Sequence, residues 1–285
     1  MSGATTKMNA LQAINAAIAE AMEKDPKVIV LGEDVADPEG GGVVGTTRGL
    51  STRFGDDRVK STPISEQAIM GAAIGAAIGG YRPVAEIMLM NFTTVAMDMI
   101  VNHAAKLRFM SGGQTSVPIT IHMLTGAGAS TGGQHADHLE AWFAHTAGLK
   151  VVAPSCPTDY KGLMLSCIAD PDPCIFIESM RTLFVPEEVP NDLAPIPLGK
   201  ANVIQEGTDV TIIAYSGMVI TAREAAKKLT EDGVSVELID LRTVSPWDRD
   251  AVLASVEKTG RAVLVHEAVR SFGIGAEIAA TIQEE

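Results

Sequence analysis

The stretch STPISEQAIMGAAIGAAIGG, residues 61–80, decides how the rest of the chain reads. It opens as an extended approach with Pro63, offers Ser65 as a cap, places one carboxylate at Glu66, and then runs apolar to its end. Such a run predicts a helix buried in a soluble protein, since Ala68 to Gly80 covers 13 residues and a bilayer needs roughly 20. Gly71, Gly75 and Gly79 recur every fourth residue and fall on one helical ridge, where a second backbone can approach closely. Glu66 is the only charged residue between Lys60 and Arg82. Its plain reading is an acidic residue favoured by the positive end of the helix dipole. Its functional reading is a catalytic carboxylate.

Outward from this helix, short apolar runs alternate with helical periods. Upstream, Leu11, Ile14, Ile18 and Met22 give a helix over Met8 to Lys24, stopped at Asp25-Pro26, and Lys27 to Leu31 is a strand followed by a glycine-rich loop. Downstream come a strand at Val84 to Met90, a long helix at Phe92 to Met110, a strand at Pro118 to Leu124, and a loop of small residues from Thr125 to His138. A short helix to His145, a strand at Leu149 to Ala153, a helix at Thr158 to Ala169 and a strand at Cys174 to Glu178 complete a first block. Apolar strands alternating with helices predict an α/β fold, a mostly parallel sheet with helices on both faces. The prolines at 186, 190, 195 and 197 mark a linker, after which alternation resumes. The expected domains are residues 1–185, a proline-rich linker at 186–200, and a second α/β domain at 201–285 with few strands, read as incomplete.

With 285 residues and a net charge of −13, the chain is large enough for two cores and ill suited to nonspecific nucleic-acid binding. The three cysteines, Cys156, Cys167 and Cys174, share no CxxC spacing, which suggests reduced thiols. The start MSGATTKMNALQ lacks the pattern of a signal peptide, so a cytoplasmic location is expected.

Three local motifs compete for a function. Gly40, Gly42 and Gly45 fit GxGxxG, but outside the strand-to-helix turn where phosphate meets helix amides. Gly128, Ser130 and Gly132 fit GxSxG, with Asp240 and His266 following in the chain order of an α/β-hydrolase triad. No helix is predicted directly after Ser130, so the sharp nucleophile elbow is not expected there. His135, Asp137, His138 and Glu140 crowd potential zinc ligands into one loop, though without the spacing of HExxH. His103, His122 and His145 read as packing or surface residues, and Met88 and Phe92 as ordinary core.

Taken together, TPISE at Thr62 to Glu66, MNF at Met90 to Phe92, AAKLRFMSGG at Ala104 to Gly113, GGQH at Gly132 to His135, AGLKVVAPS at Ala147 to Ser155 and DLRTVSPWD at Asp240 to Asp248 carry a resemblance. In order and over the whole chain, they resemble the beta subunit of the thiamine-diphosphate-dependent decarboxylating component of 2-oxo acid dehydrogenase complexes, of pyruvate, branched-chain or acetoin type. The resemblance implies a transketolase-like pyrimidine-binding domain followed by a transketolase C-terminal-like domain. It implies that Glu66 hydrogen-bonds the aminopyrimidine ring nitrogen, that Phe92 stacks on that ring, and that Met88 lines its pocket. Glu33 would belong to an acidic relay between active sites, and His135 would move protons during acyl transfer to lipoamide. Where relatives commonly continue with serine and a polar residue after the histidine, this chain has Ala136-Asp137-His138. The GDG motif that holds magnesium and diphosphate does not occur, so Mg²⁺ is expected on an alpha subunit of an α2β2 assembly, with a lipoyl acyltransferase core as further partner. The family also allows a monovalent cation at backbone carbonyls near Ile168 to Asp172.

Overall fold

Four strands of the first block, Val28–Glu33, Arg82–Leu89, Thr120–Thr125 and Cys174–Ser179, are buried along nearly their whole length, so both faces of the sheet they form need covering. They lie side by side and parallel at the centre of a seven-stranded sheet, in a computed structural model that describes residues 4–285. The first residues of the segment read as lacking a signal peptide, 1–3, lie outside the described ones. The spatial order is Thr243–Ser245, Lys150–Val152, Cys174–Ser179, Thr120–Thr125, Arg82–Leu89, Val28–Glu33, Val59–Thr62. On one face pack helices Ala10–Lys24 and Pro157–Ala169, with Ile14, Ile18, Leu163 and Met164 fully buried. The first is fixed by a capping box in which Asn9 and Gln12 exchange side-chain-to-backbone hydrogen bonds, both 3.0 Å. On the other face lies helix Glu66–Ile78, whose Ile69, Met70, Ala73 and Ile74 share a cluster with Ile213, Tyr215 and Ile239 of the second domain.

The second domain carries a four-stranded sheet ordered Ala262–Val265, Val210–Ala214, Val236–Asp240, Asn202–Gln205, the last strand antiparallel. Its strand Thr243–Ser245 crosses back and pairs antiparallel with Lys150–Val152, so the two domains share the edge of the larger sheet. The α/β architecture with helices on both faces is thus as expected from the alternation. The proline-rich stretch is more than a connector: Glu187–Pro190 pairs antiparallel with Thr5–Met8, a two-stranded ribbon on which Pro190 is tolerated because it costs no central ladder bond.

One local expectation fails. The helix expected over Phe92 to Met110 is broken into a 3₁₀ turn at Met90–Thr94, a π-helical turn at Met99–Ala104 and a short α-helix at Leu107–Met110. Thr93 and Thr94 turn their hydroxyls back onto the carbonyls of Met90 and Asn91, at 2.6 and 2.8 Å, which holds the tight turn in place of an α-helical start. On the glycine ridge, only Gly71 meets another part of this chain, with Met99 Sδ 3.6 Å from where a Cβ would stand. Gly75 faces open space beside exposed Ile78 and Tyr81.

Candidate active site

The parallel order of Val59–Thr62, Val28–Glu33, Arg82–Leu89 and Thr120–Thr125 aligns their carboxyl ends, and each end carries one of the predicted residues. Glu66 opens the helix after the first, Glu33 closes the second, Phe92 sits in the turn after the third, and His135 lies in the loop after the fourth. The carboxyl edge of a parallel sheet is where loops converge and ligands bind.

Glu66 is the first helical residue after Ser65, half-buried, and among the described residues makes no side-chain hydrogen bond. Its carboxylate is free to receive a proton donor from outside the chain. Glu33 is close enough to feel it. Burial, then the charges of Asp34 and Glu66, push the Glu33 carboxyl above its ordinary value. Met88 is half-buried at the end of its strand and packs in the same cluster as Phe92.

Phe92 and His135 meet edge to face, ring centroids 5.6 Å apart and planes at 78°. Their loops are tied together, because Asn91 Nδ2 donates to Asp137 Oδ2 at 2.5 Å and the Asp137 amide donates to Asn91 Oδ1 at 3.3 Å. The His135 loop closes on itself through the Gly126 amide, which donates to the His135 carbonyl at 3.0 Å. Asp137 is therefore spent on Asn91, while His138 Nδ1 pairs with Glu140 Oε2 at 2.5 Å. His135 faces Phe92, Asp137 faces Asn91, and His138 and Glu140 pair with each other, and among the described residues no cluster of three or more His, Cys, Asp or Glu is arranged for a metal.

The hydrolase reading is overturned by geometry. Ser130 has a φ of 57°, but Asp240 Oδ2 accepts from Ser155 Oγ at 2.5 Å and its Oδ1 from the Arg242 amide at 2.9 Å. His266 Nδ1 faces the Ala268 carbonyl at 3.1 Å instead of Asp240. At the stretch read as open to a monovalent cation, Arg82 Nη1 donates to the carbonyls of Ile168 and Asp170, at 2.9 and 3.3 Å, and Lys150 holds the Asp170 carboxylate at 2.6 Å. Positive charge at these oxygens comes from the chain's own side chains.

His122, read as packing or surface, is neither. It is 1% exposed, with Nδ1 2.7 Å from Glu178 Oε1 and Nε2 3.6 Å from Glu86 Oε2. The signal lay in the sequence: VAEIMLM, ITIHML and CIFIES each set one ionisable residue into an otherwise apolar strand, where a charge is rarely buried without a partner.

A model of the transketolase pyrimidine-binding domain matches residues 6–184, and one of the transketolase C-terminal domain matches residues 199–285. The chain belongs to the transketolase-like family of E1 beta subunits. Within that family, the pyruvate dehydrogenase E1 component subunit beta of Staphylococcus epidermidis is 47% identical over 279 residues, which cover 98% of this chain and 85% of that protein. The acetoin:2,6-dichlorophenolindophenol oxidoreductase subunit beta of Cupriavidus necator is 45% identical over 287 residues, with the same coverage. A solved split-gene transketolase, an inactive beta4 tetramer, superposes with a TM-score of 0.82 at 25% identity over 98% of this chain and 86% of that one. Among the described residues, no helix is long and apolar enough to cross a membrane.

Proposed function

We propose that this chain is the beta subunit of a thiamine-diphosphate-dependent 2-oxo acid dehydrogenase, active with an alpha subunit in an α2β2 assembly. The observation that carries the reading is Glu66, an unpartnered carboxylate at a helix start on the carboxyl edge of the sheet, one strand from Glu33 and two from Phe92. That arrangement fits an aminopyrimidine. A carboxylate can hold a proton at a ring nitrogen, and an aromatic ring two strands away can cover the ring's face. The site has no diphosphate motif of its own, which supports an alpha subunit that brings Mg²⁺ and the phosphate ligands.

Thiamine diphosphate, when bound, supplies the carbanion-stabilising chemistry that side chains lack. Glu66 would hold the pyrimidine ring nitrogen by a hydrogen bond, so that the exocyclic nitrogen could serve as a base. Phe92 would cover the ring's face and Met88 would line its pocket. Glu33, its carboxyl pushed up by burial and by Asp34 and Glu66, stands beside Glu66 as a second acid of the site. His135, steadied against Phe92, would move a proton during acyl transfer to a lipoyl thiol brought by the acyltransferase core.

The test is reconstitution with an alpha subunit of this enzyme family, thiamine diphosphate and Mg²⁺, assayed with pyruvate, branched-chain 2-oxo acids and acetoin. Glu66→Gln is expected to cut turnover about 10²- to 10⁴-fold, the usual worth of acid–base catalysis. Near-normal decarboxylation by that variant would overturn the mechanism, and normal activity in both Glu66→Gln and His135→Ala would make the chain a scaffold only.

A further inference from the structure

Behind the carboxyl edge, the sheet core holds three ionisable side chains that the proposed chemistry does not use. Glu86 and His122 stand opposite one another in the register of adjacent parallel strands, and Glu178 lies on the next strand over, two residues beyond His122's partner Phe176. All three point to one face. Glu86 is 5%, His122 1% and Glu178 2% exposed. Glu86 Oε2 and His122 Nε2 are buried, have no hydrogen-bond partner among the described residues, and face each other at 3.6 Å.

Room for the Glu86 carboxylate is made by two glycines. A Cβ on Gly32 would stand 2.9 Å from Glu86 Cβ, and one on Gly42 2.7 and 2.8 Å from its two carboxylate oxygens. Gly42, in the left-handed region at φ 82°, leaves the space at the Glu86 carboxylate free, and Gly32 lets its strand approach position 86 closely.

The groups facing this unit come from every packed element. Strand Val28–Glu33 and its following loop bring Glu33 and Asp34, strand Thr120–Thr125 brings His122, and strand Cys174–Ser179 brings Glu178. The glycine loop contributes uncharged Gly42 and Thr46, the latter with Oγ1 3.5 Å from Glu178 Oε2, while Arg48 donates to the Gly40 carbonyl at 3.3 Å. Tyr160, from helix Pro157–Ala169, spends its hydroxyl on Thr182 and the Ser179 amide. The unit therefore holds one imidazole against two carboxylates, with Glu33 and Asp34 as further acids on the side toward Glu66.

We infer that Glu86, His122 and Glu178 form an electrostatically coupled triad whose charge is felt by Glu33, which itself faces the charge of Glu66. They are positioning residues for proton traffic at the carboxyl edge, an inference that rests on the proposed function only for its catalytic consequence. Burial pushes the Glu86 carboxyl up to about 7, His122 pulls it down, and Glu178, Asp34 and Glu33 raise it. Burial alone would lower His122, but the hydrogen bond and charge of Glu178, with the charge of Glu86, leave it raised. Near neutrality Glu86 gains or loses one proton, and the interior beside Glu33 changes by one unit of charge. Because the interaction is mutual, Glu86⁻ tightens proton binding at Glu33, and neutral Glu86 relaxes it.

The test has two arms. In the full chain with ¹³C-labelled glutamate carboxyls, the Glu33 resonance, assigned with Glu33→Gln, is expected to show a second inflection near pH 7. Glu86→Gln, a near-isosteric neutral mimic, should remove that inflection, and His122→Gln should move it up by roughly one pH unit, the usual effect of losing an opposite charge at this range. In the reconstituted assembly, kcat/KM against pH should lose its inflection near 7 in Glu86→Gln and keep it at higher pH in His122→Gln. A wild-type Glu33 resonance without the second inflection, or pH profiles that superimpose for wild type and both folded variants, would overturn the coupling. An assembly that turns over none of the substrates while the Glu33 inflection behaves as stated would overturn the proposed function and support the coupling.

Discussion

Tyr215 donates its hydroxyl to Glu140 Oε1 at 2.6 Å, which ties the second domain to the helix that follows the His135 loop. Both residues are buried, and Glu140 Oε2 pairs with His138. Burial pushes the Glu140 carboxyl up, but His138 and Tyr215 outweigh it and hold it below its ordinary value. Tyr215→Phe leaves that carboxylate with one partner fewer, at a cost of about 1.5–3 kcal/mol. The expected result is a thermal midpoint lower by several degrees with the circular dichroism spectrum unchanged, and an unaltered midpoint would mean that the bond does not hold the domains.

Phe92 and His135 are the two predicted site residues whose rings the chain brings together, edge to face. Aromatic pairing of this kind contributes about 0.5–1.5 kcal/mol beyond area burial. Phe92→Ala should therefore weaken thiamine diphosphate binding roughly tenfold or more in the reconstituted assembly, as read by calorimetry, while Phe92→Leu keeps part of the packing. Equal affinities for wild type and Phe92→Ala would remove Phe92 from the binding site.

The His135 loop depends on Gly126. A Cβ there would collide with Thr131 Oγ1 and with the His135 carbonyl, the same carbonyl that accepts from the Gly126 amide. Gly126→Ala must push the loop outward, leaving Glu66 untouched three strands away. Decarboxylation with an artificial electron acceptor should persist, whereas acyl transfer to lipoamide should fall by at least an order of magnitude, the effect of misplacing a catalytic group by about 1 Å. Parallel loss of both half-reactions would place the lesion in the fold.

The sheet was legible because its strands are short, apolar and regularly spaced, and Glu66 because it is the only charge in a long apolar window. The ribbon of Thr5–Met8 with Glu187–Pro190 was not, since its members lie far apart in sequence and carry no apolar alternation. The turn after Met90 was misread as helix because hydroxyl back-bonding by Thr93 and Thr94 leaves the helical period of the surrounding apolar residues intact. The Glu86–His122–Glu178 triad escaped for a different reason. Each member looks like a lone exception in its own strand, and only the register brings them to one face.

Asp240 gives the fold a dependence on pH whose sign follows from its surroundings. Burial and the charge of Asp159 push its carboxyl up to about 7, against the hydrogen bonds from Ser155 and the Arg242 amide and the charge of Arg242. An unfolded aspartate titrates near 3.9, so the folded chain holds this proton more tightly. The associated stability is fully present below about pH 4 and is lost as pH rises through about 7, at up to about 1.4 kcal/mol per pH unit. Glu86, raised in the same sense, adds a second contribution over a similar window. The urea midpoint of the wild-type chain should therefore fall between pH 5.5 and pH 8. Asp240→Asn, whose Oδ1 can accept from the Arg242 amide while its Nδ2 donates to Ser155 Oγ, cannot ionise and should flatten that fall and match or exceed wild type at pH 8. A midpoint that falls as steeply in Asp240→Asn as in wild type would show that this carboxyl titrates at the same pH folded and unfolded.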